Sequence, residues 1–182
     1  MKLKPMNKQE TRREIKRIKL EISQQTRELA ALEVMNKIES LPQFTEAENI
    51  LLYNALPDEL PTECMLNKWS CSKSLFLPVV DGENLVIKRY NKDSVKVGAF
   101  GIIEPEGEEI DSKIIDFIIV PGVAFDRNLN RLGRGKGYYD RLLSESNAFF
   151  AGIGYSIQVL DNIPVEEHDI KMNCIITERE IL

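Results

Sequence analysis

With 182 residues, 43% of them hydrophobic and 29% charged, the chain has the size and composition of one globular domain with a substantial core. No apolar run approaches the about 20 residues of a membrane helix, and the charged start, with Lys2 and Lys4 and no apolar stretch after them, is unlike an export signal, so the expected location is the cytoplasm. Three scattered cysteines and a single histidine argue against a disulfide scaffold or a structural zinc site; Cys64, Cys71 and Cys174 read as small buried hydrophobes.

The net charge of −5 is unevenly spread: residues 1–20 hold eight Lys or Arg against Glu10 and Glu14, a local +6 that leaves −11 for the rest. A basic helix on an acidic body could meet nucleic acid, but no aromatic residue is interleaved for base stacking. A solvated helix face is the plainer reading for most of these side chains.

Residues 7 to about 22 predict an amphipathic helix with Ile15, Ile18 and Ile22 at helical spacing. Ser23 is a candidate N-cap for a second helix, Gln24 to Ser40, with Leu29, Leu32, Met35 and Ile38 as its apolar stripe. Leu41-Pro42 ends it. Ile50 to Tyr53 predicts a first buried strand, broken by Leu56-Pro57-Asp58, and Thr62 to Trp69 a helix. Ser74 to Val80 and Leu85 to Tyr90 predict a hairpin about Asp81-Gly82. Val97 to Ile103, with Gly98 and Gly101, reads as a weak strand or loop, and Glu104 to Asp111 as an exposed acidic loop. Ile114 to Val120 predicts the central strand, closed by Pro121-Gly122. A helix from Tyr138 to Leu143 and strands at Phe149 to Tyr155 and Asn173 to Thr177 complete the chain. This alternation predicts an α/β fold: a three-layer single domain over residues 1–182 with a mostly parallel central sheet.

The densest chemistry lies between the central strand and the Tyr138 helix, in Arg131-Leu132-Gly133-Arg134-Gly135-Lys136-Gly137-Tyr138-Tyr139-Asp140. Glycines at alternate positions allow backbone conformations closed to other residues and let N–H groups converge on an anion. Arg134 and Lys136 add full charges, and the following helix adds its positive end. The spacing is neither that of a G-x-x-x-x-G-K-[ST] loop nor that of a G-x-G-x-x-G fingerprint. On these residues alone, a phosphate site stands beside a tight structural turn with solvated cations.

Val120-Pro121-Gly122-Val123-Ala124-Phe125-Asp126 followed by Asn130 to Asp140 closely resembles the signature of the 5-formyltetrahydrofolate cyclo-ligase (methenyltetrahydrofolate synthetase) family. The likeness extends from Lys8 to about Glu178. It implies a fold like that of the ribose-phosphate isomerase and CoA-transferase group. The implied reaction converts 5-formyltetrahydrofolate and ATP to 5,10-methenyltetrahydrofolate, ADP and phosphate with Mg2+ as cofactor, so an enzyme must hold two anionic ligands in line.

Carried over residue by residue, the resemblance makes Lys8, Arg12, Arg131, Leu132, Gly133, Arg134, Gly135, Lys136, Gly137, Tyr138 and Tyr139 the ATP site. Lys8 and Arg12, four apart, share a helix face. Arg134 to Tyr138 also faces folate, and Arg134, Lys136 and Tyr138 form the catalytic set. Glu59 matches a carboxylate that contacts the pterin and suits its paired donors. Asn54 and Phe100 fall at substrate-contacting positions, and Asp140 and Asp169 match magnesium ligands. The expected partners are ATP and 5-formyltetrahydrofolate, with no nucleic acid and no membrane, and the expected state is a monomer. The rivals are a phosphate-binding sugar or CoA enzyme of the same fold, and a nucleic-acid module using the basic N-terminal helix.

Overall fold

Alternate residues of the buried strands point to opposite faces of one sheet. Ile50, Leu52, Leu75, Leu77, Phe117, Ile119, Ala151 and Ile153 pack into one apolar cluster. Leu51, Phe76, Ile118, Val120, Phe150 and Ile175 pack into another. This period of two on both faces is what a sheet covered by helices on each side requires. The structure, a computed structural model, describes residues 7–98 and 101–182.

In chain order, α1 (Lys8–Lys19), α2 (Gln24–Glu39) and α3 (Pro42–Glu46) precede β1 (Asn49–Leu51). Helix α4 (Glu63–Trp69) leads to the hairpin of β2 (Ser74–Asp81) and β3 (Asn84–Arg89), then β4 (Val95–Val97), β5 (Ile103–Pro105) and β6 (Glu109–Ile110). The rest is β7 (Phe117–Pro121), β8 (Ala124–Asp126), β9 (Arg131–Leu132), α5 (Tyr138–Ser144), β10 (Phe149–Ile153), β11 (Val159–Leu160) and β12 (Cys174–Ile176). The main sheet has the order β12-β10-β7-β1-β2-β3-β6. Its first five strands are parallel, β3 runs antiparallel to β2, and β6 antiparallel to β3. Residues of α2, α3 and α4 cover one face and Leu142 and Leu143 of α5 the other, which gives the three layers expected. A small sheet, β11-β8-β9, stands beyond the main one. There Val123, Ala124, Leu132 and Ile163 form a third cluster with Ile15 of α1.

Local chemistry explains the helix starts. Asn7 accepts from the N–H groups of Gln9 and Glu10 while the Glu10 carboxylate accepts from the Asn7 N–H, a capping box. Ser23 accepts from the Thr26 N–H, as its sequence position predicts.

Several expectations need correction. Leu29 and Leu32 are exposed; Ala30, Ala31 and Val34 take the sheet-facing stripe of α2 with Met35 and Ile38. Alanines let the helix approach the sheet closely, and the longer leucines flank the contact. The central strand begins at Phe117 rather than Ile114, because the Asp116 carboxylate accepts from the N–H groups of Glu48 and Asn49 (3.0 and 2.8 Å) and ties off the approach to the sheet. The acidic stretch is not a plain loop: Glu109 and Ile110 add an edge strand opposite Lys88 and Ile87. Of the cysteines only Cys174 is buried; Cys64 is half-buried and Cys71 exposed, and all three are free. Burial pushes the Cys174 thiol up to about 12, which makes it chemically quiet.

Candidate active site

Strands β1 and β7 are the neighbours at which the winding of the sheet reverses. From β1 the chain proceeds to β2 and β3 on one side; from β7 it proceeds to β10 and β12 on the other. Segments leaving the carboxyl ends of two such strands diverge and open a crevice, the usual ligand position in open α/β sheets. Here β1 sends out residues 54–60, β7 leads through the β8–β9 hairpin to the glycine-rich loop, and β10 ends beside Tyr155.

The segment after β1 is held from all sides. Thr62 Oγ1 donates to the Tyr53 carbonyl at 2.6 Å, and Tyr53 Oη donates to the Leu60 carbonyl at 3.0 Å. The Leu56 N–H donates to Glu59 Oε2 at 3.0 Å, Tyr155 Oη donates to the Glu59 carbonyl at 3.2 Å, and Arg27 donates to the Pro57 carbonyl at 3.0 Å. Asn54 Nδ2 donates to the Ile103 carbonyl of β5 at 3.1 Å, tying the β4–β5 hairpin to this segment. Phe100 lies outside the described residues.

Across the crevice, the glycine-rich loop takes conformations that need glycine: Gly135 has φ +98° and Gly137, at the start of α5, φ +68°. Its glycines also make room for arginines. A Cβ on Gly133 would lie 2.8 Å from the Arg131 guanidinium, and one on Gly135 3.4 Å from that of Arg12. Arg12 Nε donates to the Gly133 carbonyl at 2.9 Å. Arg141 donates to the Lys136 carbonyl and Asn84 Oδ1, and Tyr138 Oη donates to the Gly82 carbonyl, so the loop is moored to the β2–β3 turn. Lys136 is exposed. The Leu132 side chain packs in the core with Ile15. Burial raises the Tyr139 hydroxyl well above its ordinary pKa, and Arg131 lies over the Tyr139 ring at 5.6 Å.

Arg134 joins the two walls. Its Nε and terminal nitrogen both donate to Glu59 Oε1 at 3.1 Å, and the terminal nitrogen also donates to Asp58 Oδ1. Behind Asp58 stands Lys19, whose Nζ donates to the Asp58 carbonyl at 2.6 Å and to Oδ2 at 3.2 Å. Lys19 is only 2% exposed; burial lowers its pKa against the upward pull of Asp58.

The two aspartates expected to hold metal are each anchored through one oxygen. Asp140 Oδ1 accepts from Arg131 at 2.9 Å and from the Ile170 N–H at 3.5 Å. Asp169 Oδ2 accepts from Lys8 Nζ and from the Glu166 N–H, both at 2.7 Å. Among the described residues no group of three or more His, Cys, Asp or Glu gathers as a complete cage. The arrangement suits an ion that takes one or two carboxylates and fills its other positions from phosphate and water. Each carboxylate is oriented by hydrogen bonds from behind, as ligating carboxylates are.

Residues 4–178 match the 5-formyltetrahydrofolate cyclo-ligase family. The chain belongs to that family. It is 32% identical over 177 residues to the Schizosaccharomyces pombe protein named "Probable 5-formyltetrahydrofolate cyclo-ligase", covering 84% of this chain and 85% of the other. It is 31% identical over 176 residues to the Haemophilus influenzae 5-formyltetrahydrofolate cyclo-ligase, covering 91% and 94%. The solved structure of Aquifex aeolicus 5,10-methenyltetrahydrofolate synthetase superposes with a TM-score of 0.88 at 36% identity, covering 97% of this chain and 92% of that one.

Within this cyclo-ligase family member, sequence reasoning missed Lys19 and Asp58. The signal for Lys19 was present: Thr11, Ile15 and Lys19 recur every four residues, and all three are buried. Of the α1 cations, Arg13 and Lys16 are exposed. Lys8, Arg12 and Lys19 turn inward, and Arg17 pairs with Glu14 and Glu21.

Burial raises the Asp58 carboxyl, but the hydrogen bond from Arg134 and the charge of Lys19 outweigh it and leave the pKa below its ordinary value. A depressed folded-state pKa stabilises above the unfolded carboxyl value of about 3.9, and that contribution is lost as pH falls through the folded value. Asp58→Asn should therefore lose less stability than wild type between pH 5 and pH 3 in urea titrations. An equal loss would show that Asp58 takes no part in acid unfolding.

Proposed function

We propose that this chain catalyses the ATP-dependent closure of 5-formyltetrahydrofolate to 5,10-methenyltetrahydrofolate, with release of ADP and phosphate. The observation that carries the reading is the pairing across one crevice of a glycine-rich, arginine-lined loop with the Glu59 and Asp58 carboxylates. The first wall suits a triphosphate and the second the donor edge of a pterin. The formyl oxygen attacks the γ-phosphorus, and the bond to the bridging oxygen breaks with its electrons leaving on ADP. N10 then attacks the activated carbon and loses its proton. The carbon–oxygen bond breaks, and phosphate leaves the amidinium of the product.

In this reading Lys8, Arg12 and the backbone of Gly133, Gly135 and Gly137 hold the phosphates. Arg131, with its charge spent on Asp140, orients that carboxylate, while Leu132 and Tyr139 support the loop. Arg134 and Lys136 neutralise charge as the phosphoryl group moves, and Tyr138 packs beside the formyl end. Glu59 takes the pterin. Asn54 holds the β4–β5 hairpin, and Phe100 is assigned to the folate by its match to a substrate-contacting position of the family. Asp140 and Asp169 would hold Mg2+, which when bound supplies charge neutralisation at phosphate oxygens. We extend the reading to a cytoplasmic monomer; no helix among the described residues is long and apolar enough to cross a membrane.

The test is optical, because the conjugated amidinium of the product absorbs near-ultraviolet light that the substrate does not. A band that grows only with ATP, magnesium and 5-formyltetrahydrofolate together is expected. ATP consumption indifferent to folate, with no band, would reject the assignment.

A further inference from the structure

Glu59 is given above to the pterin and Arg134 to the moving phosphoryl group, yet the two are bonded to each other. Glu59 Oε1 accepts twice from Arg134, at 3.1 Å each, and Oε2 accepts from the Leu56 N–H at 3.0 Å. A carboxylate oxygen offers two lone pairs, so Oε1 is filled. A pterin ring N–H and amino group that engage both oxygens in parallel must therefore displace Arg134 from Oε1.

The displaced guanidinium has somewhere to pivot. Its other anchor, Asp58 Oδ1, belongs to a carboxylate whose Oδ2 and backbone carbonyl are both held by the buried Lys19 ammonium. Lys19 and Arg134 face Asp58 and Glu59, two cations against two carboxylates. When Arg134 moves, Asp58 keeps Lys19, and Glu59 gains the pterin donors. The Lys19–Asp58 pair thus stays matched, and the Glu59 charge is held by hydrogen bonds from the Leu56 N–H and the pterin donors. Arg134 itself sits in the loop that carries Lys136, one residue from Gly133 and Gly135.

We infer that Arg134 is a shared group that couples the two substrates: the pterin takes its place on Glu59, and the freed guanidinium moves to the triphosphate. This rests on the ATP and folate reading given above. Coupling of this kind is reciprocal, so each compound tightens the other by the same factor. Typical couplings between sites are about 5- to 150-fold, and a tenfold effect is expected here.

The experiment titrates the full chain, in magnesium buffer, with β,γ-imido-ATP in the presence and absence of 5-formyltetrahydrofolate, and with folate alone. In wild type, folate should tighten the nucleotide analogue about tenfold. In Arg134→Ala the coupling should disappear, and folate alone should bind more tightly than to wild type because its competitor for Glu59 is gone. An arginine that merely touched phosphate would leave folate affinity unchanged, and one that gripped folate would weaken it; either result overturns the inference. Glu59→Gln provides a second check should Arg134→Ala fold poorly: it should bind the analogue alone more tightly and show reduced coupling, and full coupling there overturns the proposal. A wild-type chain that forms the methenyl product but shows no coupling removes this inference and leaves the reaction intact. A chain that forms no product, or binds neither compound, removes both.

Discussion

Lys136→Ala should lower kcat by about two to three orders of magnitude, the range seen when one preorganised donor to a developing charge is removed. Lys136 is exposed and sits between two glycines whose positive-φ conformations do not depend on its side chain. Its replacement leaves the core clusters intact, so the thermal midpoint and far-ultraviolet circular dichroism should match wild type. The measurement is the rate of methenyl formation at saturating ATP and folate. A near-normal rate under those conditions would remove Lys136 from the catalytic set, because weakened ground-state binding alone is hidden at saturation.

The second large effect concerns stability as well as activity. Asp140→Asn keeps the shape of the side chain and deletes the charge that compensates Arg131. The Arg131 side chain is 3% exposed, and its partner carboxylate 18%. Among the described residues, the Arg131 guanidinium has one further hydrogen bond besides that to Asp140, to the Pro121 carbonyl at 3.4 Å, and its Nε has no hydrogen-bond partner. Removing one member of such a pair strands the other charge in a poorly solvated place, at a cost of about 3 kcal/mol. For a chain of this length that corresponds to a fall in Tm of roughly 10 °C. The same variant should need more magnesium for activity. Replacing both partners, as in Arg131→Met with Asp140→Leu, should recover part of the lost stability, since no stranded charge remains. An Asp140→Asn protein as stable as wild type in urea would show that the pair contributes nothing to the fold.

What could be read from the residues depended on whether local pattern and tertiary environment asked for the same thing. The β2–β3 hairpin was legible because two apolar runs, Leu75 to Val80 and Leu85 to Ile87, flank the Asp81-Gly82 turn that sets its register. Helix α2 was harder. Residues 29–35, Leu-Ala-Ala-Leu-Glu-Val-Met, carry two overlapping stripes, and choosing by hydrophobicity favours the leucines; the sheet selected the smaller alanines. Glu109 and Ile110 are too short and too acidic a stretch to predict as a strand. They pair because Ile110 packs beside the second apolar cluster and Lys88 stands opposite Glu109.

The site divides along the same line. The glycine-rich loop was visible as a motif, since its residues are contiguous. Asp58 and Lys19 were not, because their meeting spans 39 positions and exists only once α1 has docked. A lysine among eight N-terminal cations looks solvated by default, and only its four-residue spacing from Ile15 marks it as facing inward.

The docked helix fastens distant parts of the chain to one another. Helix α1 buries one large aliphatic side chain, Ile15, and is otherwise fastened by Lys8 to Asp169, Arg12 to the Gly133 carbonyl and Lys19 to Asp58. Lys19 is 2% exposed, and the Lys8 and Asp169 side chains 19% and 14%; partly buried pairs are screened far less than surface ones, so these fastenings hold as ionic strength rises. The first helix is thus tied at once to the Asp169 segment, the glycine-rich loop and the segment after β1, so a change that unseats it withdraws three cations from those places together.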